Sequence, residues 1–144
     1  RLRKNGRDSA LYCATDRLFA TDDPDHAITG IVIESVDGKA ERAWCGDVEY
    51  LIDPSTGYKP PPPESLSVLG GRYDNDDRWA GPIYVHVRDG KVLLGNIVEL
   101  FPGDGGIWRT ADASSPEQIR FDGVINGVPQ RMLFSGIPYI RRFS

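Results

Sequence analysis

The chain has 144 residues, 40% of them hydrophobic and 26% charged, with a net charge of −4. That length fits one domain, or one domain with an appendage, and can bury a core. The acid excess argues against a nucleic-acid partner, and no apolar run approaches the length of a membrane span. No signal peptide is visible. The chain opens on Arg1 rather than Met, which reads as a fragment or a processed product, so the compartment stays open.

Residues 1–8, RLRKNGRD, are basic and polar and read as a tail. Residues 9–20, SALYCATDRLFA, favour a strand over a helix through Tyr12, Cys13, Thr15 and Phe19. Residues 21–26, TDDPDH, form a turn cluster. A strand is expected over 28–36, with Asp37-Gly38 turning the chain back through 40–45. Gly46-Asp47 then turns it into a strand over 48–52. Residues 1–58 therefore predict a β-rich extension built as an antiparallel meander.

The two cysteines, Cys13 and Cys45, leave two readings open. One is a pair of small, semi-buried side chains. The other is a disulfide between two N-terminal strands, which needs an oxidising compartment. Without a CxxC spacing they fall short of a metal ligand set.

Residues 59–64, KPPPPE, mark a boundary. Prolines cannot donate to a sheet ladder, so the run is either an extended spacer or an ordered strap packed on the second section. From residue 65 onward strands are expected near 71–73, 82–87, 91–94, 97–100, 106–110, 117–122, 129–134 and 139–142. Ile83, Val85 and Val87 alternate with Tyr84, His86 and Arg88 before the tight turn Asp89-Gly90. Further punctuation falls at 102–105, at Asp122-Gly123 and at Asn126-Gly127. Short, evenly spaced strands without helical periodicity predict an all-β, up-and-down meander closed into a barrel of about eight strands. Closure removes the exposed edges of an open sheet.

No residue set announces catalysis. There is no Gly-x-Ser-x-Gly and no Ser-x-x-Lys. Tyr73-Asp74-Asn75 has a Tyr-x-Asn form that lacks its Ser-x-x-Lys partner. His86 reads as a strand surface residue, and His26 lies in an Asp-rich turn. Asp22, Asp23, Asp25 and His26, or Asp74, Asn75, Asp76 and Asp77, could grip a divalent ion, but solvated turn clusters explain both. Trp79, Tyr84, Trp108, Phe121, Phe134 and Tyr139 supply aromatic volume for a barrel, as core or as the lining of a ligand cavity. No cofactor is implied.

A longer pattern runs through the second section. Leu69-Gly70-Gly71-Arg72-Tyr73, Trp79-Ala80-Gly81 and the hairpin 87–92 open it. Residues 99–102, Ile107-Trp108-Arg109 and residues 118–123 continue it, and 127–131, 134–136 and 139–142 close it. This order resembles the lipocalin-like β-barrel that comes after the serine hydrolase domain in β-lactamase-related and penicillin-binding-protein-like enzymes, a group with esterases and D-aminopeptidases. The resemblance covers residues 66–144. It implies a non-catalytic accessory barrel that packs on a preceding hydrolase domain and shapes its substrate cleft. The family's catalytic Ser, Lys and Tyr belong to that preceding domain, so none carries over here. The alternative is a free-standing binder of a small apolar ligand, and homo-oligomerisation stays open.

Closure makes a specific demand. In small ligand-type barrels the first strand pairs with the last, and a first-strand aromatic often packs beneath a basic side chain. The strand at Gly71–Tyr73 is therefore expected beside Tyr139–Arg142, with Arg141 or Arg142 over the Tyr73 ring. The alternative leaves both arginines in solvent as edge-strand charges. With the turn Asp89-Gly90 and the aromatics Trp79, Trp108 and Phe121, the residues Gly71, Tyr73, Tyr139, Arg141 and Arg142 make up the expected structural set.

Overall fold

The computed structural model describes residues 1–4, 6–23, 29–77, 79–112 and 114–142. The chain divides into two compact units, Arg1–Lys59 and Pro60–Ser144.

The first unit opens with a small antiparallel pair, β1 (Leu2–Lys4) and β2 (Arg7–Ser9), and not with the expected tail. Gly6 takes φ +79° at its turn, and Arg1 and Arg3 both reach the Asp8 carboxylate, which offsets the clustered positive charge. Next comes a five-stranded antiparallel meander: β3 (Leu11–Cys13), β4 (Leu18–Thr21), β5 (Ile31–Val36), β6 (Lys39–Cys45) and β7 (Val48–Leu51). The stretch 9–20 therefore carries parts of three strands rather than one, because Ala14 and Thr15 turn back onto the Leu18 carbonyl. Asp37 and Gly38 both have positive φ, as the expected tight hairpin requires.

One face of this sheet holds a charged network. Buried Arg42 pairs with Glu34 and Glu49, and Trp44 Nε1 donates to Glu34 at 3.0 Å. The Lys59 backbone N–H donates to Glu49 at 2.9 Å, tying the end of this unit to its sheet. Neither Cys13 nor Cys45 forms a disulfide. Cys13 lies in β3 and Cys45 in β6, with two strands between them. Strand spacing separates them by about 14 Å, beyond the ~7 Å that a disulfide spans. Cys13 is exposed rather than semi-buried, because β3 is a short edge strand. It should react with a thiol reagent in the native protein, ahead of the half-buried Cys45. A thiol that reacts only after reduction would contradict this arrangement.

The second unit is a closed antiparallel barrel of eight strands. They are β8 (Gly71–Asp74), β9 (Ile83–Arg88), β10 (Lys91–Leu94), β11 (Val98–Pro102), β12 (Ile107–Thr110), β13 (Gln118–Ile125), β14 (Val128–Phe134) and β15 (Ile137–Arg142). Each pairs with the next, and β15 pairs with β8, Arg141 opposite Tyr73. Asp122-Gly123 is not the turn that its sequence suggests. Gly123 takes φ +63° while β13 runs on, and Asn126-Gly127 makes the turn instead. A glycine absorbs that backbone angle without breaking the ladder.

Alternation sends one set of side chains into the bore. Tyr73, Val85, Val92, Ile119 and Met132 are almost fully buried there, with Val87, Leu100 and Tyr139 beside them. Trp108, Phe121 and Phe134 pack against this core. An eight-stranded barrel is just wide enough for side chains to fill, and these fill it. Met132→Ala should cost about 2–5 kcal/mol in chemical denaturation, as a lost core side chain leaves a cavity. A cost below about 1 kcal/mol would mean a loosely packed bore.

A short helix, α1 (Glu64–Ser67), leads into β8 and sends Leu66, Val68 and Leu69 onto the core. Arg141 holds the segment that follows this helix. Its Nη1 donates to the Val68 carbonyl at 2.6 Å and its Nη2 to the Gly70 carbonyl. Its guanidinium carbon lies 5.8 Å from the centre of the Tyr73 ring, and Tyr73 Oη donates to the Leu69 carbonyl at 2.9 Å. A Cβ on Gly71 would sit 3.2 Å from that guanidinium, so the glycine makes the close approach fit.

Burial pushes the Tyr73 phenol above its ordinary value of 10.0, with Arg141 opposing. A folded-state value above the unfolded one gives stability that is full below pH 10 and lost as pH rises further. Tyr73→Phe should therefore flatten the alkaline limb of the stability curve, measured by denaturant melts across that range. An unchanged alkaline slope would remove Tyr73 as its source.

Candidate docking face and outer groove

The up-and-down order sorts the connections between two ends of the barrel. The loops at 75–82, 95–97, 111–117 and 135–136 share one end. The turns at 89–90, 103–106 and 126–127 share the other. The first end carries exposed apolar residues on three of its loops or their flanks: Trp79 at 95% exposure, Ile97 at 52% and Ile137 at 51%.

Trp79 was expected to contribute core volume, and the structure overturns this. It lies in the β8–β9 loop, outside the strand alternation, and its neighbour Ala80 packs on the core instead. The loop is not loosely attached. Asn75 Oδ1 accepts from the Asp77 N–H at 2.6 Å, and Asp77 Oδ1 accepts from the Trp79 N–H at 2.9 Å. Asn75 Nδ2 donates to the Pro138 carbonyl at 2.6 Å, fastening the loop to β15. The 111–117 loop is tied in a similar way. Asp112 accepts from the Ser114 hydroxyl and N–H, which hold its carboxyl below the usual range, and Arg109 Nη1 donates to the Ser115 carbonyl at 2.7 Å. Exposed Asp76, Asp77, Asp112 and Glu117 give this end an acidic rim.

Asp89 and Gly90 form the β9–β10 turn with φ +51° and +70°, as expected. Tyr84 points outward and not into the bore, with Arg72 over its ring at 5.9 Å. His86 shares that outward face, stacked on Tyr84 at 6.2 Å, but is only 8% exposed. The wall is no solvent face there, since Arg88 and Leu93 are buried as well. Arg142 stays on the exposed wall, where it and Arg72 flank the Asp74 carboxylate and hold it below the ordinary carboxylate range, Arg72 most.

The two acidic clusters serve other ends. Asp74 binds arginines, and Asn75 and Asp77 cap their own loop. Asp22 accepts from the Ala10 N–H at 3.0 Å. Asp25 and His26 lie outside the described residues, and so does Phe143. Among the described residues no three His, Cys, Asp or Glu side chains converge to hold a metal ion.

A groove of about 240 Å³ runs along the outer wall of β12–β14, lined by Ile107, Gln118, Arg120, Leu133 and Gly136. Register explains it: Ile107 lies opposite Arg120, and Arg120 opposite Leu133, so the three sit abreast on three strands. The Arg120 guanidinium makes no hydrogen bond or ion pair with any described residue, and it acts on Asp122 only as a nearby charge, less than Arg131 does. Asp122, the nearest outward acid along β13, is held by Arg131 through both oxygens at 2.6 and 2.8 Å. In the sequence the groove leaves only two apolar residues on outward strand phases, Ile107 on β12 and Leu133 on β14.

Arg131 keeps the Asp122 carboxyl below its ordinary value of 3.8. A lowered folded-state value gives stability that is present above that pH and lost as pH falls through the folded value. Asp122→Asn should therefore flatten the acid limb below about pH 4, by less than about 1 kcal/mol because the pair is largely exposed. Denaturant melts between pH 2 and pH 5 would read it, and an unchanged limb would show the pair to be idle.

Compared with known proteins, the chain matches no family model, no curated protein and no solved structure.

Proposed function

We propose that this chain is a non-catalytic accessory barrel of a β-lactamase-type serine hydrolase, docking on the hydrolase domain through its Trp79 end. The observation that carries this reading is Trp79 itself, almost wholly exposed on a loop fixed by side-chain hydrogen bonds. A large aromatic held in water forgoes burial worth about 2–3 kcal/mol. Fixing it beforehand lowers the ordering cost of binding, and tryptophan is enriched among residues that dominate interfaces. Ile97 and Ile137 add exposed apolar area at the same end of the barrel. The filled bore supports the same reading, because it leaves the outside of the barrel as the working surface.

The second reading, a free-standing binder of a small apolar ligand, draws on the outer groove and not on the bore.

The coding sequence upstream of Arg1 tests the first reading directly. An in-frame hydrolase segment with Ser-x-x-Lys is expected, and a frame without one would overturn it. Trp79→Ala should then weaken association with the separately produced hydrolase domain by about tenfold or more. Equal affinity would remove Trp79 as the anchor. The chain alone should not turn over a chromogenic ester, and turnover that survives repurification would defeat the non-catalytic assignment.

A further inference from the structure

We infer that the outer groove of β12–β14 binds a small apolar monocarboxylate. The groove sets one cation between aliphatic walls. Arg120 is flanked by Ile107 on one neighbouring strand and Leu133 on the other, each about 4.8 Å away in the pairing direction. A guanidinium is weakly hydrated and presents a planar fork that matches a carboxylate. Gln118 shares the outward phase of β13 and offers an amide to the same end of a ligand.

The arrangement also limits the charge it accepts. Asp122 lies two residues along the same face, and Arg131 already neutralises it. Arg120 is the one cation among the residues that line the groove, which matches a single negative charge on the ligand. At the turn, nothing stands within 4 Å of where a Gly136 side chain would project, so the groove is open there. Its volume of about 240 Å³ is roughly that of eight waters at ~30 Å³ each, the scale of a six-carbon acid.

The test uses the full chain, isotope-labelled, titrated with hexanoate and followed by amide chemical shifts. Saturable shifts at Ile107, Gln118, Arg120, Leu133 and Gly136 are expected, with Kd on the order of 1 mM for so few atoms. Hexanamide, which lacks the charge, and acetate, which lacks the chain, should each bind at least about fivefold more weakly. Arg120→Gln should weaken hexanoate by a similar factor, and Arg120→Lys should recover part of it. Equal binding of hexanamide would reduce the groove to an apolar surface, and equal binding of acetate to a surface charge. Either result, shifts confined to another part of the barrel, or an unaffected Arg120→Gln variant would overturn the inference. The three-ligand comparison on the unmodified chain decides the matter even where a variant fails to fold.

Discussion

The barrel depends on what Arg141 does where the last strand meets the first. Pairing of β15 with β8 closes the ladder, but closure alone leaves one end of the bore open to water. Arg141 reaches across that end and donates to the Val68 and Gly70 carbonyls, while Tyr73 donates to Leu69 from below. Three backbone acceptors in an irregular segment are thereby satisfied by side chains, which burial requires. The cation remains partly hydrated, so it escapes the full desolvation cost of a buried charge while its plane faces the Tyr73 ring. Gly71 is bound to this arrangement, since its missing side chain is the space that the guanidinium needs.

Filling the bore decides where function can reside. Leu66, Val68 and Leu69 seal that end, and Tyr73, Ile119 and Met132 occupy the middle. A ligand inside would have to displace them, at a cost of several kcal/mol for each core side chain. The exterior carries no such cost. Its exposed features differ in kind: a hydrogen-bonded loop presenting Trp79 at one end, and an arginine between aliphatic walls on β12–β14. The first is the proposed contact for a large partner, and the second the inferred seat of a small anionic one.

The second unit was legible in the sequence to a degree that the first was not. Asp89-Gly90 and Asn126-Gly127 announced hairpins because only a few residue pairs tolerate two successive positive φ angles. Eight strands, their order and the pairing of the last with the first all follow from a meander that must hide its edges. Which of Arg141 and Arg142 covers Tyr73 was settled by the side-chain phase of β15. Asp122-Gly123 misled for the same reason that the others informed. A Gly at positive φ permits a turn but does not compel one, and the cross-strand pair of Asp122 with Arg131 carries the ladder through. At the N-terminus, RLRKNGRD lacks apolar alternation, so the pairing of β1 with β2, with Asp8 bridging Arg1 and Arg3, left no periodic trace.

The candidate surfaces were harder to read, because a sequence carries residue phase but not coverage. His86 and Arg120 both occupy outward phases of their strands, and alternation treats them alike. One is buried and the other lies open in a groove. Trp79 presents the converse case. Its size marked it as core, yet the two Asx hydrogen bonds around it belong to a loop that leaves the alternation altogether. Here Asn75 and Asp77, at two-residue spacing before Trp79, mark a loop and not a strand. Those short polar side chains fix the backbone locally and free the large one from any packing role. The same logic holds for the arginines of the barrel. Where an outward acid stands at the right register, as Asp74 and Asp122 do, the charge is consumed within the wall. Arg120 lies abreast of Ile107 and Leu133 instead, with no carboxylate bonded to its guanidinium among the described residues.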